Sequence, residues 1–169
     1  MGIASVAYLF SESSPAPETP GRIGDEINIV SAIAYSTWDT HATASHAYDG
    51  DTSTYYASLY ENPMNWVKFY LSEPYNIGVI KVVNRLNCCK DRFEGTIVSL
   101  YLSDALVTDC GIFTNVGTDN SNTDVDYNTY YISCNGAYGD MLNLTYTSDS
   151  SNTWLQFAEI NVYQFHSKS

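Results

Sequence analysis

The stretch Arg85-Leu86-Asn87-Cys88-Cys89-Lys90-Asp91-Arg92-Phe93-Glu94 concentrates the chemistry of this 169-residue chain. Each arginine offers a planar fork of donors that matches paired oxygens on a partner, which a lysine ammonium cannot do. Between the arginines sit two adjacent cysteines. Neighbours in sequence cannot reach the usual Cα separation of a disulfide, so a bridge between Cys88 and Cys89 closes a small, strained ring. Strain of that kind is kept at functional sites; two free or differently paired thiols are the alternative. Three cations (Arg85, Lys90, Arg92) and two carboxylates (Asp91, Glu94) crowd the loop. Arg85 and Arg92 either present their forks to a ligand or brace the loop through Asp91 and Glu94.

A second candidate lies near the C-terminus. Alternation puts Leu155, Phe157 and Glu159 on one face, after which Ile160 and Val162 carry the apolar face. Either a bulge re-aims the strand there, or Glu159 points toward the core, where a carboxylate needs a partner. A solvated Glu159 at the rim is the bland alternative. The remaining signals argue against other chemistries. No Cys-x-x-Cys occurs, and His41, His46 and His166 are not at zinc-site spacing. No serine sits in a nucleophile elbow, and Asp124 and Asp126 lie in a polar loop that would leave their acidity ordinary. No residue is assigned a catalytic role, and the chain is expected not to be an enzyme.

The elements that must hold these residues are short strands. Candidates are Trp66–Leu71, Val79–Asn84, Thr96–Leu102, Tyr130–Ser133, Met141–Tyr146 and Trp154–Tyr163, with an extended segment near Asn28–Tyr35. Val67, Phe69 and Leu71 alternate inward, as do Val98, Leu100 and Leu102, and Leu142, Leu144 and Tyr146. No helical period is sustained, so an all-β sandwich or barrel follows. Residues 1–27 read as an extended Pro/Ser-rich segment (Pro15, Pro17, Pro20), 28–165 as the domain and 166–169 as a tail. Cys110 and Cys134 flank an Asn/Asp/Thr-rich loop, and a bridge across it would add ~3 kcal/mol of stability. The formal charge of −12 disfavours nucleic acid and anionic membrane surfaces, while surplus carboxylates favour a hard cation such as calcium or are simply solvated. No run is long and apolar enough for membrane insertion. Met1–Phe10 is apolar but has no basic flank, so it is not read as a clear secretion signal.

Arg85-Leu86-Asn87-Cys88-Cys89-Lys90-Asp91-Arg92 resembles the site motif of the F-type lectins, the fucose-binding family within the discoidin-like, coagulation factor C-type group of jelly-roll β-sandwiches. Both arginines and the cysteine pair are in register, with Asn87 where the family has Asp. Ala47-Tyr48-Asp49-Gly50-Asp51 resembles the family's calcium loop, Asn65-Trp66-Val67 the strand before the site, and Phe157 to Tyr163 the closing strand. Cys110 and Cys134 fall where the family has its other loop bridge. The resemblance implies a secreted, extracellular sugar-binding module whose partners are glycans or glycoproteins. Arg85 and Arg92 would take sugar hydroxyls, and a Cys88–Cys89 disulfide would meet the ring face. Asn87 would stand in for the orienting acid, with Asp91 or Glu94 neutralising the arginines. A calcium ion would be held by the side chains of Asp49 and Glu159 and by carbonyls of His46 and Asp51, with Ser58 or Leu59 and Ala158 nearby.

The departures are specific. The family's site histidine would fall at Ser58, yet no histidine lies between Tyr56 and Trp66; Tyr60 or Asn62 is expected to take its place. The rival reading keeps the jelly roll as a structural or adhesive building block of an extracellular assembly, with a vestigial sugar site. A homo-oligomer fits either reading.

Overall fold

The computed structural model describes residues 23–60, 64–147 and 153–166. Residues 1–22, Asn62 and residues 167–169 lie outside the described residues, so most of the expected lead-in and tail does too. Among the described residues the chain forms nine strands: β1 (Glu26–Ile27), β2 (Ile29–Ala34), β3 (Tyr56–Ala57), β4 (Met64–Val83), β5 (Ile97–Leu102), β6 (Ala105–Ile112), β7 (Thr129–Thr147), β8 (Gln156–Phe157) and β9 (Glu159–Gln164). The helical content is two 3-10 turns, Ala44–Tyr48 and Lys90–Phe93. Every pairing is antiparallel, in the order β1-β9-β4-β7-β5-β6 with β2 also on β4, and β3-β8 as a separate small sheet. The all-β expectation holds, and β1 starts slightly ahead of the boundary expected at Asn28.

Two of the expected strand pairs are each one long strand. β4 and β7 run beside each other throughout, with breaks in register between Tyr70 and Tyr75 and between Ile77 and Val79. Pro74 explains the first break, since it has no N–H to give the ladder. The second changes the phase: Val67, Phe69, Leu71 and Ile77 are buried before it, Ile80 and Val82 after it. Gly78 sits at this step because a Cβ there would lie 2.7 Å from the Gln164 carbonyl oxygen. The inward residues of β4, β5, β7 and β9 meet in one core with Phe93, Phe113 and Phe157.

β6 was not expected. Its Leu106, Val107 and Ile112 are exposed, so it lacks the inward alternation that marks a half-buried strand. Its turn from β5 uses Ser103 and Asp104, both at positive φ (48° and 66°), without the glycine that usually marks such a hairpin. The C-terminal strand is broken at Ala158, whose N–H donates to Val83 O. The chain passes there from the small sheet (β8) to the large one (β9), so both expectations for Glu159 are met. The strand is re-aimed, and Glu159 faces in at 5% exposure.

Candidate functional site

The loop between β4 and β5 is pinned at several points. Phe93 is fully buried and packs its ring 4.7 Å from Phe113 and 6.0 Å from Phe157. Lys90 is also fully buried, its ammonium donating to the carbonyls of Asp119 (2.7 Å) and Asn122 and lying 5.5 Å from the Tyr127 ring. Asn84 Nδ2 donates to Lys90 O (2.9 Å) and Gln156 Nε2 to Cys89 O (2.8 Å). Held this way, the loop carries a Cys88–Cys89 disulfide, and Cys89 takes the left-handed conformation (φ 60°) that non-glycine residues seldom adopt. Cys110 and Cys134 form the other bridge, joining β6 to β7.

Both arginines lie against aromatic faces. The Arg85 guanidinium carbon is 3.9 Å from the centre of the Tyr55 ring, and that of Arg92 is 4.2 Å from Trp154. Arg85 Nε donates to Asn87 Oδ1 at 2.8 Å, so Asn87 does accept from the arginine. Burial, more than the neighbouring Arg92 charge, holds the Arg85 guanidinium below the usual arginine range, while Tyr55 acts in the opposite sense. The acids expected to neutralise the pair do not. Among the described residues the sole ion pair is His41–Asp39. Glu94 accepts instead from the backbone N–H groups of Asn115 (3.1 Å) and Val116 (2.7 Å), and Asp91 is exposed. Among the described residues neither acid forms an ion pair with Arg85 or Arg92.

Tyr60, expected to replace the histidine, stacks on Trp154 (5.2 Å between centres), and Trp38 packs on the same indole at 5.0 Å. Tyr60 thus reaches the Arg92 side through Trp154. Trp38 and Tyr60 remain 50% and 38% exposed, giving an apolar shelf beside the arginines. Buried Asn65 joins the segments that carry it: Nδ2 donates to Leu59 O and Thr153 O, both at 3.1 Å, and Oδ1 accepts from Ser36 Oγ at 2.7 Å. On the far side of Arg85, a hollow of about 200 Å³ is lined by Thr54, Tyr55, Arg85, Leu86 and Asn87 among others. Sequence reasoning missed Tyr55, Trp38 and Trp154 as site residues. A run of Trp and Tyr in loops flanking an arginine motif is the only signal that pointed to them.

The candidate cation site adjoins Thr54, the residue before Tyr55 in sequence. Glu159 Oε1 accepts from Gly50 N at 3.2 Å, while Oε2 is buried with no hydrogen-bond partner among the described residues. Burial, with the charges of Asp49 and Glu26 nearby, pushes its carboxyl up to about 7, against the pull of the Gly50 hydrogen bond. Thr54 Oγ1 lies 2.8 Å from Asp49 Oδ2, 2.9 Å from Asp51 O and 3.3 Å from His46 O. One hydroxyl proton cannot serve three acceptors. These clustered oxygens and the orphaned Glu159 oxygen fit a hard cation that prefers carboxylate and carbonyl ligands. An open cleft of about 440 Å³, lined by Glu26, Asp49 and Glu159 among others, adjoins them.

Ser58 does not join this group. The Ser58 hydroxyl is engaged by Leu155 N (2.9 Å) and Leu59 O (3.1 Å), whereas it is the Thr54 hydroxyl that lies among the Asp49, Asp51 and His46 oxygens. Ala158 is buried at the strand break beside Glu159.

The profile of the NedA-like, galactose-binding domain matches residues 46–144. No curated protein matches the sequence. Among solved structures, the lectin domain of lectinolysin complexed with Lewis B antigen superposes with a TM-score of 0.66 at 19% identity, over 80% of this chain and 93% of that one. An F-lectin (fucolectin) from the serum of striped bass, Morone saxatilis, gives 0.66 at 19% identity over 79% of this chain and 45% of that one. A Streptococcus pneumoniae fucose binding module gives 0.66 at 15% identity, covering 80% and 91%. At such identities the likeness establishes the fold: a discoidin-like β-sandwich, as the sequence motifs imply.

Proposed function

The chain belongs to the NedA-like, galactose-binding domain family, and from that premise we propose that it is a non-catalytic carbohydrate-binding module with a fucose-type site at Arg85 and Arg92. The observation that carries this reading is the pair of guanidinium groups lying over the Tyr55 and Trp154 rings, from arginines that flank a vicinal disulfide in sequence. Contact with a ring face holds each guanidinium without using its N–H groups, so those not already engaged, as Arg85 Nε is by Asn87, can donate to neighbouring sugar oxygens. The disulfide and the Trp154–Tyr60–Trp38 shelf supply the weakly polar surface that a sugar's C–H face needs. The neighbouring lectins, named for fucose and for Lewis B antigen, support the choice of ligand.

A calcium ion held by Asp49, Glu159, the carbonyls of His46 and Asp51 and the Thr54 hydroxyl is part of the proposal. When bound, it would supply charge neutralisation to the buried Glu159 carboxylate and to Asp49 beside it. This chain's own residues then tie the Ala44–Tyr48 turn and the Thr52–Tyr55 segment to β9. Two disulfides fit an oxidising, extracellular setting, and among the described residues no helix is long and apolar enough to cross a membrane. Calorimetry with methyl fucoside and methyl galactoside tests the reading. Binding weaker than roughly 10 mM, or about 3 kcal/mol, for every sugar tried would hand the fold to a purely structural role.

A further inference from the structure

We propose that the Arg85–Arg92 seat selects an anionic glycan, one carrying a carboxylate or sulfate on the bound sugar or the next residue, over its neutral counterpart. The inference rests on the glycan-binding reading above and adds the charge of the ligand.

Two cations of one loop feel each other's charge here, and among the described residues neither is paired with an acid. The position between them that accepts from Arg85 is the neutral amide of Asn87. Of the two acids in the loop, Asp91 is exposed and Glu94 has both oxygens engaged by backbone N–H groups of Asn115 and Val116. The arginines are held instead by π faces. A ring face attracts a cation but carries no formal charge, so the pair remains doubly positive. Like charges so placed repel each other, and an incoming anion relieves that repulsion while accepting from both forks. The setting is unusual for a chain of net charge −12, whose field otherwise draws cations. The disulfide and the indole shelf beside the pair make the ligand a sugar with an anion on it and not a free anion.

Calorimetry with methyl galacturonide, galactose 6-sulfate, methyl galactoside and methyl fucoside, at low and high sodium chloride, tests this. At least one acidic sugar should bind about tenfold more tightly than its neutral parent at low salt, with the gap closing at high salt as screening shortens the reach of the charges. Asn87→Asp restores an acid beside Arg85 at an exposed position. It should narrow the acidic sugar's advantage over its neutral parent roughly tenfold, whatever it does to the two affinities together, the size expected when one added carboxylate offsets one positive charge near a surface. Equal affinities for acidic and neutral sugars in the unmodified protein would overturn the inference and leave the glycan reading standing. So would an N87D protein with an unchanged ratio. Inorganic sulfate binding as tightly as the sugar acid would also overturn it, as a plain anion site. No response to any sugar would overturn both readings together.

Discussion

Glu159 is the residue at which stability, pH and cation binding meet, and Glu159→Gln separates them. In protein treated with chelator, the carboxyl titrates near 7 in the fold against an ordinary 4.5. A carboxyl raised in this way favours the folded state when protonated. Its contribution is fully present below the unfolded value near 4.5 and is lost as pH rises through about 7. At about 1.4 kcal/mol per unit the full shift would be worth some 3 kcal/mol, and water in the adjoining cleft screens it to about 2 kcal/mol. For a domain of this size each 1 kcal/mol moves the melting temperature by about 2–4 °C. Chelated protein should therefore melt about 4–8 °C lower at pH 8 than at pH 5. Glu159→Gln, which cannot ionise and whose amide can donate to Asp49, should flatten that dependence and melt higher than the parent at pH 8. Millimolar calcium should reverse the order, raising the parent above the variant, because an ion that binds only the native state stabilises it. Scanning calorimetry of both proteins at both pH values, with and without calcium, reads all of this. Coincident parent curves with and without calcium would refute the cation site, and a chelated parent whose melting rises with pH would refute the account of Glu159.

Arg85→Lys should weaken sugar binding nearly as much as Arg85→Ala, about tenfold by calorimetry, because a point charge keeps neither the fork nor the stack on Tyr55; a Lys variant with parental affinity contradicts the assignment. Lys90→Met should lower stability by about 2–3 kcal/mol in urea titration, since it leaves the buried carbonyls of Asp119 and Asn122 without their donor. Replacing both Cys110 and Cys134 by alanine should cost ~3 kcal/mol through the freed loop and leave sugar affinity unchanged. Chelation should weaken sugar binding several-fold even where the fold survives, because Thr54 at the cation site and Tyr55 under Arg85 are consecutive. Unchanged affinity would mean that Tyr55 is held without the ion.

Sequence alone determined what local pattern can report. The inward alternation of Val67, Phe69 and Leu71, of Val98 and Leu100, and of Leu142 and Leu144 gave the all-β class, because a strand on a core repeats every second residue. Arg85, Asn87, Cys88, Cys89 and Arg92 were legible as one site since they share one short loop. Whatever depends on register between distant strands was not legible. β6 hid because its apolar side chains face solvent and its Ser103-Asp104 turn has no glycine. The family resemblance implied Ser58 or Leu59 near the cation. In the folded chain the Ser58 hydroxyl is taken by Leu155 N, and the Thr54 hydroxyl meets the Asp49 carboxylate instead, since which hydroxyl meets the acids is decided by tertiary hydrogen bonds. In the same way Tyr55 and Trp154 reach the two arginines only in the folded chain. Each comes from a segment far from the motif, delivered by β3, β8 and the buried Asn65 that joins their loops. Their role is to hold two guanidinium planes with no acid between them, and only the packing of these separate segments produces it.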